Sequence, residues 1–190
     1  MSTMTYIEAL TNTRRRGDGM AAGINAMILN IRKENIKRSL GDWNTVGHRQ
    51  EYVATIDDVM YYDDSRAENA NATWFTMESL VRPVVWIAGG NDTNTDYGDL
   101  RDAVRANVRA LVCIGKDNTR LKEAFGKAVG EIYEAKSLEE AVNVASLLAE
   151  EDDIVLFSPA SRSENRRENF EKRGNRFVES VKALQDERHQ

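Results

Sequence analysis

The residues that could do chemistry in this chain are polar side chains that follow apolar runs. Asp63-Asp64-Ser65 comes directly after the β-rich run Val59–Tyr62. Two carboxylates and a hydroxyl at that place could hold a metal ion or a ribose hydroxyl, and could equally cap and turn the start of a helix. His48 stands beside Arg49, but no serine or cysteine lies at a spacing typical of nucleophilic catalysis. We therefore interpret His48 as a surface or hinge histidine.

Phosphate-binding and metal-binding motifs are missing from the sequence. Gly115-Lys116 is followed by Asp117, and Gly126-Lys127 is followed by Ala128, so neither pair completes a P-loop. The three spaced glycines of a dinucleotide fingerprint are absent as well. Cys113 is the only cysteine and there are two histidines, which excludes a cysteine zinc site and an intramolecular disulfide. We predict no bound metal.

Composition and charge limit the partners that the chain is expected to have. Hydrophobic residues make up 41% and charged residues 30% of the 190 residues, which is typical of a folded globular protein. The net charge of −5 gives no reason to expect nucleic acid as a partner. No apolar stretch approaches about 20 residues, and the first residues lack the pattern of a signal peptide. We therefore expect no membrane partner and a cytoplasmic protein.

Helices and strands alternate along most of the chain. Residues 1–19 are predicted to be a polar lead-in, in which Arg14-Arg15-Arg16 forms a solvated loop. Residues 20–46 show helical spacing, and Tyr52–Ile56 and Val59–Tyr62 form a hairpin around Asp57-Asp58. The elements predicted after the hairpin are, in order, helix 71–80, strand 84–88, helix 97–106, strand 110–114, helix 118–125, strand 132–133, a helix from Ser137, strand 154–157 and a long terminal helix with the apolar stripe Phe170, Phe177, Val181 and Leu184.

This alternation predicts an α/β fold, doubly wound, with a mostly parallel sheet and an N-terminal helical appendage. In such sheets ligands bind beyond the carboxyl ends of the strands. Three segments follow predicted strands and lie in that position: Gly89-Gly90-Asn91-Asp92, Gly115-Lys116-Asp117 and Ser158-Pro159-Ala160-Ser161.

Seven segments share their order and spacing with one known family. The segments are His48-Arg49, Asp64-Ser65-Arg66-Ala67-Glu68-Asn69, Asn71-Ala72-Thr73-Trp74, Val85-Trp86-Ile87-Ala88-Gly89-Gly90, Asp96-Tyr97, Ser158-Pro159-Ala160 and Asn169-Phe170-Glu171-Lys172-Arg173-Gly174-Asn175-Arg176-Phe177. From about residue 20 to its end, the chain resembles the Mur ligases, and among them it is most similar to the D-glutamate-adding ligases of peptidoglycan synthesis.

The resemblance implies a division of the chain and a chemistry. Residues 20–46 resemble the last helices of the family's central ATPase domain, and residues 47–190 resemble its Rossmann-like C-terminal domain, which closes over the amino-acid substrate. The family uses ATP and magnesium to make an acyl phosphate that the incoming amine attacks. The P-loop and the UDP site that this reaction needs do not occur in these 190 residues.

The resemblance also implies site residues, several of which depart from the family's pattern. Family positions for the nucleotide fall on His48, Arg49, Asp64 and Asn69, and those for the substrate fall on Ser65, Arg66, Ser158, Ser163 and Phe170. The family's lysine, threonine and second lysine are replaced by Arg66, Glu68 and Thr93, so these three catalytic positions are interpreted as vestigial. Glu68 places an anion where an anionic substrate should sit, and at about 4 Å this repulsion would oppose binding by about 4 kcal/mol, or about three decades of affinity.

Three hypotheses follow. In the first, the chain is a stand-alone, non-catalytic domain of the Mur ligase type, kept folded without its ligands and used as a structural or binding module. In the second, it is a fragment of the ligase, active only with separate ATPase and UDP-binding domains or a separate ligase chain. In the third, it is a weak nucleotide or phosphate binder that uses Arg49 and Arg66. No cofactor and no particular partner is predicted for the chain itself, although self-association stays open.

Overall fold

A computed structural model describes residues 47–90, 95–162 and 169–188. The predicted lead-in and the helices expected within residues 20–46 lie outside this range. The elements in chain order are β1 (Glu51–Ile56), β2 (Val59–Asp63), α1 (Ala70–Ser79), β3 (Val84–Gly89), α2 (Leu100–Asn107), β4 (Val108–Ile114), α3 (Thr119–Phe125), β5 (Glu131–Ala135), α4 (Leu138–Leu148), β6 (Ile154–Phe157) and α5 (Phe170–Arg188).

The six strands form one mixed sheet in the order β1-β2-β6-β3-β4-β5. Only β1 pairs antiparallel, with β2, and the other four pairings are parallel. The hairpin turns at Asp57 and Asp58, whose φ angles of 50° and 61° are those of a type I′ turn. The predicted α/β fold is confirmed.

Successive side chains of the buried strands point to opposite faces of the sheet, and each face packs against helices. Val85, Ile87 and Phe157 join a cluster with the apolar stripes of α4 and α5. Trp86, which alternates with Val85 and Ile87, lies on the opposite face, where its ring meets Phe125 of α3 edge-to-face at 5.2 Å. Helix α2 contacts both α1 and α3. The sheet is therefore covered on both faces, as a doubly wound fold requires.

Strand β6 occupies the place where the direction of winding changes. It is hydrogen-bonded between β2 and β3, which are followed by α1 and α2 on the Trp86 face. After β6 the chain instead continues to α5, on the Phe157 face. In doubly wound folds, ligands bind beside the carboxyl end of a strand at such a change of direction. None of the described helices is long and apolar enough to cross a bilayer.

Candidate functional site

The segments after β2, β3 and β6 are joined by backbone hydrogen bonds at the carboxyl edge of the sheet. The Asp64 N–H donates to the Phe157 carbonyl at 2.8 Å, the Gly89 N–H to the Pro159 carbonyl at 2.9 Å, and the Ala160 N–H to the Ala67 carbonyl at 2.9 Å. Two of the three predicted segments, those beginning at Gly89 and Ser158, therefore meet. The segment at Gly115 follows β4, one strand further along the sheet.

Asp64 is the buried centre of this edge. Its Oδ2 accepts hydrogen bonds from Thr76 Oγ1 at 2.8 Å and from Ser158 Oγ at 2.7 Å. The Ser158 hydroxyl also lies 2.8 Å from Thr73 Oγ1. Burial raises the pKa of Asp64 to about 7, although the hydroxyl bonds and the charge of Arg49 act in the opposite direction. Asp64 therefore ties β2, β6 and α1 together.

The raised pKa of Asp64 predicts a pH dependence of stability. Between about pH 4 and about pH 7 the folded chain holds a proton that the unfolded chain has released. The free energy of unfolding should therefore fall as pH rises through this window, by up to about 1.4 kcal/mol per pH unit from this group. Urea unfolding of the natural chain and of Asp64→Asn, which cannot titrate, measures the difference. Identical slopes for the two proteins would contradict the prediction.

His48 and Asp63 form a second pair, at the end of β2. His48 Nδ1 lies 2.7 Å from Asp63 Oδ2, and the Ser65 N–H donates to Asp63 Oδ1 at 2.9 Å. The Asp63 carboxylate is fully buried and the His48 ring is 20% exposed. Burial raises the pKa of Asp63, and the hydrogen bond from His48 lowers it. His48 also donates its backbone N–H to Glu51 Oε2 at 2.7 Å.

Two of the substrate positions implied by the resemblance, Arg66 and Phe170, contact each other. The Arg66 guanidinium lies over the Phe170 ring, 4.7 Å from its centroid. Glu68 Oε1 is 3.1 Å from Arg173 Nη2, and Arg173 Nη1 donates to the Ser161 carbonyl at 3.1 Å. The Arg173 side chain is only 6% exposed. Because Glu68 is paired, the 4 kcal/mol repulsion expected for a bare anion is an overestimate.

The remaining predicted residues have local functions or lie outside the described residues. Asn69, assigned to the nucleotide, caps α1 by accepting from the Ala72 N–H at 2.9 Å. The alternative interpretation, in which Asp63–Ser65 caps a helix, was therefore wrong. The turn that it included is present, since the Ala67 N–H donates to the Asp64 carbonyl. Arg49 is half-buried, and burial lowers its pKa while Asp64 raises it. Thr93 and Ser163 are not among the described residues.

Sequence reasoning missed three residues that complete these contacts. Thr73 and Thr76 are one turn apart in α1, so both hydroxyls face the end of β6. Arg173 follows Phe170 by three residues in α5, which places both side chains toward the same edge. The sequence signal that could have identified these residues is their spacing of about one helical turn, between Thr73 and Thr76 and between Phe170 and Arg173.

Three of the four nucleotide positions implied by the resemblance, His48, Asp64 and Asn69, make hydrogen bonds within the domain. Asp64 is buried, and its Oδ2 already accepts from Thr76 and Ser158. A ribose hydroxyl or a magnesium ion that bound Oδ2 would compete with those hydroxyls. Among the described residues, these three nucleotide positions are thus engaged within the domain itself.

Comparison with known proteins identifies the family. The profile of the "Mur ligase, glutamate ligase domain" family matches residues 48–161. The UDP-N-acetylmuramoylalanine–D-glutamate ligase of Christiangramia forsetii is 40% identical over 176 residues, which cover 93% of this chain and 40% of that protein. The corresponding ligase of Salinibacter ruber is 38% identical over 93% of this chain and 38% of its own length. The chain thus spans about two fifths of the length of these relatives.

Solved structures were compared as well. A MurF ligase from Thermotoga maritima in complex with ADP aligns with a TM-score of 0.49 and 15% identity, covering 74% of this chain and 32% of that one. A UDP-N-acetylmuramate-alanine ligase from the same organism has the same TM-score and identity over 73% of this chain and 31% of that one. The family profile over residues 48–161 and the 40% identity over 93% of the chain show that the chain belongs to the Mur ligase family and contains its glutamate ligase domain.

Proposed function

We propose that this domain is a non-catalytic structural or binding module of the D-glutamate ligase type. The observation that carries the proposal is the ion pair between Glu68 and the buried guanidinium of Arg173. The Arg66–Phe170 contact is a second pair at the same edge, so Arg66 and Glu68 each already contact a side chain of α5.

An internal carboxylate is a strong competitor for an external one. Glu68 is held next to Arg173 by the chain itself, whereas free D-glutamate loses translational and rotational freedom when it binds. Separating Glu68 from the largely buried Arg173 also costs the energy of their ion pair, which the incoming carboxylate must first replace. The net binding free energy of a carboxylate ligand is therefore only the difference between its interaction with Arg173 and that of Glu68. We therefore expect millimolar or weaker affinity for D-glutamate.

Isothermal titration of the full chain tests this proposal. The ligands are D-glutamate, MgATP and UDP-N-acetylmuramoyl-L-alanine, the last two chosen because the relatives are named for a nucleotide-linked substrate and the family uses ATP. Millimolar or weaker binding of each supports a non-catalytic module. Hydrolysis of ATP by the chain alone would overturn it, and tight binding of ATP alone would favour a nucleotide binder using Arg49 and Arg66.

The identity of 40% to a named ligase over 93% of the chain favours one alternative. In that alternative, the chain completes a ligase when other domains supply ATP hydrolysis and UDP-substrate binding. The test adds this chain to a D-glutamate ligase from which the last domain has been removed. Product that forms only when the chain is present would establish the alternative and refute the non-catalytic module.

Restoring the family residues should restore weak binding of D-glutamate. Glu68→Thr removes the carboxylate that pairs with Arg173, and Thr93→Lys adds a positive charge at the position where the family has lysine. The double variant changes the net charge by +2, and we expect at least about a tenfold gain in affinity, since one ion-pair contact is worth about 1.4 kcal/mol or more. Titration calorimetry measures the gain.

A matched control separates the site from bulk charge. Glu179 is exposed on α5, so Glu179→Thr combined with Thr93→Lys makes the same change in net charge and leaves the Glu68–Arg173 ion pair in place. This control should gain less affinity than the Glu68 variant. If both double variants titrate alike, the placement of the substrate pocket is wrong.

A further inference from the structure

We propose that His48, Glu51 and Asp63 form a binding site for one divalent transition-metal ion. The site lies where β1 begins and β2 ends. The proposal does not depend on the function proposed above.

Strand register brings the two carboxylates together. Glu51 and Asp63 are direct partners in the antiparallel β1–β2 pair. Like charges directly opposite each other in such a pair are destabilising unless a cation lies between them. The nitrogen and oxygen ligand atoms of His48, Glu51 and Asp63 all lie within 4.8 Å of one another. A metal ion bound by these atoms would neutralise both carboxylates.

A buried hydroxyl points to the same place. Ser65 is fully buried, and its side chain lies beside the Asp63 carboxylate. A Cβ placed on Gly174 would contact His48 Nδ1, Asp63 Oδ2 and Ser65 Oγ simultaneously, closer than any real Cβ atom approaches. The absence of a side chain at Gly174 thus allows three potential ligand atoms to converge beside β2.

The donor set selects the class of metal. One imidazole nitrogen and two carboxylate oxygens suit Zn²⁺, Co²⁺ or Ni²⁺, whereas Mg²⁺ and Ca²⁺ prefer oxygen ligands alone. The His48 ring is partly exposed and Glu51 is exposed, so an ion can enter from solvent. Binding would replace the hydrogen bond between His48 and Asp63 with two bonds to the ion. It would also fasten the segment before β1 to the end of β2.

Titration of the full chain with ZnCl2, CoCl2 and MgCl2 at one fixed pH tests the proposal. We expect one equivalent of Zn²⁺ or Co²⁺ to bind, with a rise in melting temperature and visible d–d bands for bound Co²⁺, and no comparable effect of Mg²⁺. Absence of stoichiometric Zn²⁺ and Co²⁺ binding would overturn the proposal.

Two variants locate the ion. Glu51→Gln changes an exposed residue and should fold normally, yet it should weaken Zn²⁺ binding by about tenfold or more, as should His48→Gln. The matched controls are His189→Gln, which removes the other histidine, and Glu179→Gln, which removes an exposed carboxylate of α5. Both controls should bind Zn²⁺ as the natural chain does. If the Glu51 and His48 variants keep full affinity, or if the controls lose it equally, the assignment is wrong.

Discussion

Phe177→Ala is expected to destabilise the domain by about 3–5 kcal/mol. Phe177 is fully buried in α5, and its ring stacks on Phe157 of β6 with centroids 5.3 Å apart. Truncation removes the apolar contacts and leaves a cavity between α5 and the sheet, which is the costliest kind of core substitution. Urea unfolding followed by circular dichroism measures the change.

The control for Phe177 is a residue of the same helix that faces solvent. Lys182→Ala removes an exposed side chain from α5, and surface changes of this kind shift stability by less than about 0.5 kcal/mol. Unfolding midpoints that coincide for Phe177→Ala and the natural chain would show that α5 does not pack on β6 as described.

Gly89→Ala is expected to cost about 2–5 kcal/mol. Gly89 ends β3 with a φ of +124°, a backbone conformation that residues with a side chain rarely adopt. An added Cβ would also collide with the carbonyl oxygen of Ile114, its partner on β4. That carbonyl is fixed by the parallel strand pairing, so relief requires movement of the sheet itself.

A second glycine provides the comparison for Gly89. At Gly130 an added Cβ would meet its nearest atom, the Arg109 carbonyl oxygen, at an ordinary 3.6 Å, and the backbone has no strained φ. Gly130→Ala should therefore change the melting temperature by a small amount in either direction. Equal destabilisation by the two substitutions would contradict the strained conformation assigned to Gly89.

Most of the secondary structure follows from short-range signals. Asp57-Asp58 turns the predicted hairpin, Gly126 follows the last residue of α3, and the Ser137 hydroxyl caps α4 by accepting from the Glu140 N–H at 3.2 Å. Each depends on residues within a few positions of one another, which is why the sequence pattern predicts it.

The predicted end of an element is wrong where a side chain near that end packs against a distant element. The helix predicted from Tyr97 begins at Leu100. Tyr97 instead packs against Phe125 at 5.2 Å, on the α3 side of the sheet. Its apolar spacing fits a helix, but its burial is supplied by an element more than 20 residues away, and periodicity carries no information about such a contact.

The candidate site shows the same division. Composition and motif order predict the α/β class, the family and the strand ends that carry polar residues. They do not predict that Asp64 binds Ser158, which is 94 residues away, or that Glu68 pairs with Arg173, which is 105 residues away.

By itself, the sequence determined the order of strands and helices, because turn residues and apolar periodicity act over a few positions. Only the tertiary structure decided whether charged residues at the edge of the sheet face a ligand or one another. The physical reason is that the crossover connections bring β6 and α5 beside β2, and burial there requires each polar group to find a partner.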